Sequence, residues 1–118
     1  MRRARFLAPA RREYIHEVKL YAEAGTGVGI RFAAAVEEAT VRALAFPQAG
    51  SPAEANTRKV FLKGFPFALV YRPEPAGILI LALAHFSRAS GYWVSRARIT
   101  ARLTPTRAEP ARAGRRGP

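Results

Sequence analysis

At 118 residues the chain has room for one domain with a modest core, and 49% hydrophobic residues make a packed interior feasible. The absence of cysteine excludes disulfides, thiolate catalysis and cysteine-based zinc sites, and makes a cytoplasmic protein the expectation. The net charge of +12 invites a polyanionic partner, yet most of it sits at the ends: residues 1–12 hold five arginines and no acid, and residues 97–118 hold six arginines against Glu109.

In chain order, Arg5-Phe6-Leu7 reads as a short strand, and Pro9 suits the first turn of a helix. Tyr14, Ile15, Val18, Tyr21 and Ala22 then fall on one helix face. Gly25-Thr26-Gly27-Val28-Gly29 interrupts that pattern. It is not a phosphate loop, because Ile30 stands where G-x-G-x-x-G needs its third glycine and no Gly-Lys-Ser/Thr follows. A turn between two helices is the better reading. A second helix is predicted from about Gly29 to Phe46, with Phe32, Val36, Ala39, Ala43 and Phe46 on its apolar face, and Pro47 ends it.

Gln48 to Thr57 reads as a polar loop. Arg58–Lys63, Phe67–Arg72 and Ile78–Ala84 read as three strands of an antiparallel meander, with the first short strand able to join it. The expected fold is therefore α+β: an N-terminal helical hairpin packed on a three- to four-stranded antiparallel sheet. Residues 13–46 carry net negative charge and residues 47–96 net positive charge, so the sheet side is expected to be the basic one. Such a face attracts phosphates or an acidic partner. Domain 1–96 is followed by 97–118, a basic tail expected to be disordered. No apolar run approaches the roughly 20 residues that span a bilayer, and the basic start lacks the apolar stretch of a secretory signal. No membrane contact is expected.

Several local words in this order resemble the RelE/ParE superfamily of type II toxin–antitoxin toxins, including the plasmid-stabilisation ParE-like members. Phe46-Pro47-Gln48-Ala49-Gly50 resembles the family's Phe-Pro-x-x-Gly. Arg58 to Arg72, with Phe65-Pro66-Phe67 and Tyr71, resembles its Arg-x-x-x-x-x-x-Phe-Pro-Tyr-x-Val-x-Tyr hairpin. Ile80 to His85, then Arg88 and Tyr92-Trp93, resemble its closing Ile-Leu-Ala-Val-x-His-x-x-Arg-x-x-x-x-Trp. The resemblance covers roughly residues 5 to 96. It implies a growth-inhibiting toxin neutralised by a cognate antitoxin, whose target is DNA gyrase in ParE-like members or ribosome-bound mRNA in RelE-like ones.

Metal-free RNA cleavage needs an activated 2′-hydroxyl, a neutralised phosphate and a proton for the leaving oxygen. If the chain is an RNase of the RelE-like kind, His85, Arg88 and Tyr92 are the catalytic candidates, with Arg88 on phosphate and Tyr92 or His85 in proton transfer. Arg58, Lys59, Lys63, Arg72 and Arg88 are the candidate contacts to nucleic acid or target. RelE-like enzymes carry a basic residue at the end of the last strand, whereas this chain has His85-Phe86. That departure favours a gyrase-directed, non-catalytic toxin over the mRNA interferase. A non-toxic nucleic-acid-binding module is the third reading. His16 and His85, far apart in sequence and without cysteine, make no metal site, and no cofactor is expected.

Overall fold

The computed structural model describes residues 2–88 and 91–103. Strand β1 (Arg3–Phe6) leads into α1 (Ala8–Ala24) and α2 (Val28–Ala45), which form the helical hairpin. Strands β2 (Ser51–Ala53), β3 (Thr57–Phe61), β4 (Phe67–Glu74) and β5 (Gly77–His85) follow, then α3 (Val94–Leu103). The sheet has five strands in the order β1-β5-β4-β3-β2. The meander β3-β4-β5 is antiparallel, as its short connections require. The fold is α+β, with two differences from expectation. β1 joins β5 in parallel, so the sheet is mixed. The expected polar loop contains β2, a three-residue edge strand paired with β3. Pro52 hid it from a propensity reading, but an edge strand tolerates a proline.

The hairpin buries Phe32, Val36, Ala39 and Ala43 of α2, and Ala10 of α1, against one sheet face made by Val60, Leu62, Phe67, Leu69, Tyr71, Ile78, Ile80 and Leu83. Phe32 and Phe67 meet edge-on at 5.2 Å, and Tyr21 stacks on Phe32 at 4.8 Å. Aromatic pairs of this geometry add to area burial. The helices approach closely because the second residue of α2 is Gly29, where a Cβ would lie 2.9 Å from the Val18 carbonyl. Ile15 (45% exposed) and Phe46 (68% exposed) leave the apolar faces assigned to them. α2 ends at Ala45, so Phe46 no longer follows the helical period.

The Phe46–Gly50 segment is tied to the sheet. The Tyr71 hydroxyl donates to the Pro47 carbonyl at 2.7 Å, and Arg58 Nη1 donates to the Gly50 carbonyl at 2.8 Å. Burial pushes the Tyr71 phenol above its ordinary pKa. Tyr71→Phe removes one hydrogen bond and leaves the ring in place. It should lower stability by about 1 kcal/mol in a urea titration; an unchanged midpoint would show that the bond contributes nothing net.

The sheet's other face is covered by α3 and the residues before it. Val70, Ala82 and Ala84 pack with Trp93, while Leu79 and Leu81 pack with Ala97. This explains why β5 is apolar throughout. The alternation also changes phase along β5, since Val70 pairs with Ala82 but Tyr71 with Ile80. Leu81 is the additional residue, a bulge that turns both Leu81 and Ala82 towards the α3 side. The expected boundary at residue 96 falls inside α3. Residues 104–118, the greater part of the expected tail, lie outside the described residues.

Candidate functional site

β5 ends at His85, where the chain leaves the sheet between its two faces. The His85 ring meets Phe67 edge-on at 4.9 Å. Its Nδ1 accepts the Ser87 backbone N–H at 2.9 Å, and the Ser87 hydroxyl oxygen lies 2.8 Å from the same nitrogen. An accepting Nδ1 places the ring proton on Nε2 in the neutral imidazole. Phe86, 59% exposed, reaches across to Phe61 with ring centroids 5.9 Å apart.

Tyr92 and Arg88 come together. The Arg88 guanidinium lies 3.9 Å from the Tyr92 ring centroid, a cation–π contact. The Tyr92 hydroxyl donates to Glu13 Oε2 at 3.2 Å, far across the fold on α1. Arg96 of α3 grips the same carboxylate, with Nη1 3.2 Å from Oε1 and Nη2 3.0 Å from Oε2, and also donates to the Leu81 carbonyl at 3.0 Å. The Leu83 backbone N–H donates to Glu13 Oε1 at 3.1 Å. Glu13 thus joins α1, the bulged part of β5 and α3.

Burial first, and then the Glu13 charge, push the Tyr92 phenol up to about 12. A raised folded-state pKa means that the folded protein holds this proton more tightly than the unfolded chain. The corresponding stability is complete below the unfolded value of 10.0 and is lost as pH rises through the folded value. In a spectrophotometric titration of the native protein, Tyr92 should ionise well above pH 10, and Glu13→Gln should bring it down by removing the neighbouring charge. An unaltered titration in that variant would show that burial alone holds the proton.

The five expected contact residues do not share a surface. Lys59 lies 5.0 Å over the Trp93 ring. Arg72, 15% exposed, donates to the Ala97 carbonyl at 3.1 Å and the Thr100 hydroxyl at 3.0 Å, tying β4 to α3. Arg58 holds the segment after α2, as described above. Lys63 is exposed and sits 3.6 Å from Glu38 of α2. Only Lys59 joins His85 and Arg88, in a cleft of about 280 Å³ that Phe61, Phe86 and Trp93 also line. His85 and Arg88 line a second cleft of about 320 Å³ on the α1 side. Glu13 and Arg96 were not among the expected site residues. No local signal in the sequence marks them: Glu13 follows Arg11-Arg12, and Arg96 stands between Ser95 and Ala97-Arg98.

Among the described residues no group of three or more histidine, cysteine, aspartate or glutamate side chains is placed to hold a metal ion, and no helix is long and apolar enough to cross a membrane. The family model described as ParE toxin of type II toxin–antitoxin system, parDE, matches residues 4–90. A search of curated proteins finds no match.

Proposed function

Because the chain belongs to the ParE toxin family of type II toxin–antitoxin systems, we propose that it arrests growth by acting on DNA gyrase and is neutralised by a cognate antitoxin. The observation that carries this reading is the commitment of Tyr92. Its hydroxyl is bonded to Glu13, its pKa is pushed to about 12, and Arg88 is stacked on its ring. A phenol held this way is a poor partner for proton transfer near neutral pH, where the effective group has a pKa close to the working value. Phe86, in place of a basic residue after His85, supports the same reading. So does the use of Arg58 and Arg72 in tying elements of the fold together.

One observation favours the RNase alternative: Lys59, His85 and Arg88 meet in one cleft. Induced expression, alone and with a co-expressed antitoxin, decides between the two. Gyrase inhibition predicts arrested growth, loss of negative supercoiling by purified gyrase, and intact mRNA in a translating extract. Cleavage of that mRNA by the native protein but not by Arg88→Ala would reject the gyrase reading.

A further inference from the structure

The second cleft lies between α1 and the end of β5, on the side of the sheet away from the Lys59–Trp93 contact. Its walls bring together the chain's two histidines, 69 positions apart in sequence, with Arg12 and Arg88. Arg12 and His16 are one helical turn apart on α1 and both exposed, so they share a face. Two acids also face the cleft. Glu13 is already occupied by Arg96, Tyr92 and the Leu83 amide. Glu17 offsets one arginine, which leaves the rim net positive even with both imidazoles neutral.

We propose that this cleft is an anion site that takes a phosphate group. Arg12 and Arg88 supply planar guanidinium forks suited to phosphate oxygens. His85 supplies a donor in its neutral form: Nδ1 is engaged by Ser87, so the proton resides on Nε2, which has no hydrogen-bond partner among the described residues. His16 adds a further ring nitrogen from α1. Phe67 and Leu83 form an apolar floor that keeps water from one side and strengthens the charged contacts above it. Two sources carry this chemistry, a free nucleotide and the phosphate of a nucleic-acid strand. The inference goes beyond the gyrase reading, since a toxin that failed to inhibit gyrase would keep this cleft unchanged.

The test uses the full chain, with the His16 and His85 ring resonances followed by NMR during separate additions of inorganic phosphate, AMP, and a short single-stranded DNA with and without a 5′-phosphate. Phosphate and AMP should shift both rings. Arg12→Ala should weaken binding by roughly tenfold, the loss expected from one charge-assisted hydrogen bond. Arg12 is exposed, so the variant should fold, and an unchanged amide spectrum would confirm it. Tighter binding of AMP than of DNA points to a free nucleotide. A DNA affinity that requires the 5′-phosphate points to a strand end. Either result supports the site. Rings that respond to none of the four additions, or a phosphate affinity unaltered in Arg12→Ala, would overturn it. So would rings that respond to a glutamate-rich peptide but not to phosphate.

Discussion

Glu13→Ala is expected to destabilise the protein by about 3 kcal/mol, the range for breaking a largely buried ion pair from one side. The two side chains are 16% and 21% exposed, so water compensates Arg96 only in part when its partner is removed. Three further donors lose their acceptor: the Tyr92 hydroxyl, the Leu83 amide and the second Arg96 nitrogen. An unpaired buried donor costs roughly 1–3 kcal/mol. The gain in helix propensity from alanine within α1 offsets only a few tenths of a kcal/mol. Urea denaturation measures the total. The pattern of loss separates this role from ordinary packing: amide exchange should accelerate most in α3, the element that Glu13 holds to the sheet. A loss below 1 kcal/mol with α3 still protected would show that packing of Trp93 and Ala97 suffices.

Phe67→Ala should have the largest effect, about 4 kcal/mol, within the range for removing a buried aromatic ring. Phe67 is 1% exposed and touches Phe32, Tyr21 and the His85 ring. It starts β4 opposite the last residue of β5, so the hairpin, the sheet and the candidate site meet at this side chain. The cavity falls beneath His85, which loses its edge-on contact. Thermal or urea unfolding reads the stability, and the His85 ring resonance reads the site. A loss near 1 kcal/mol would mean that the neighbouring rings collapse into the space. Phe67→Leu, which keeps most of the volume, should recover much of the stability but not the aromatic contact.

Much of the scaffold was legible because it rests on local periodicity. Phe32, Val36, Ala39 and Ala43 recur at helical spacing and all four are buried. The glycine break stands between the helices, and the three long strands stand where apolar runs bounded by Gly64 and Gly77 placed them. The resemblance carried by Phe46–Gly50, Arg58–Arg72 and Ile80–Trp93 leads to the family that residues 4–90 match. Part of what those words preserve is mutual support within the fold: Tyr71 bonds to Pro47, and Arg58 to Gly50.

The sequence alone determined the helical hairpin, the antiparallel meander and the family, since each depends on spacing along the chain or on short words kept in order. Only the tertiary structure decided that β1 runs parallel to β5, that Leu81 reverses the facing of β5, and that Tyr92 gives its hydroxyl to Glu13, 79 positions away. The physical reason is that each depends on how segments distant in the chain meet, which leaves no local trace. Burial of an apolar face leaves a periodic trace in the residues that form it. A buried polar group instead needs a particular partner, and that partner is set by which segments the fold brings together.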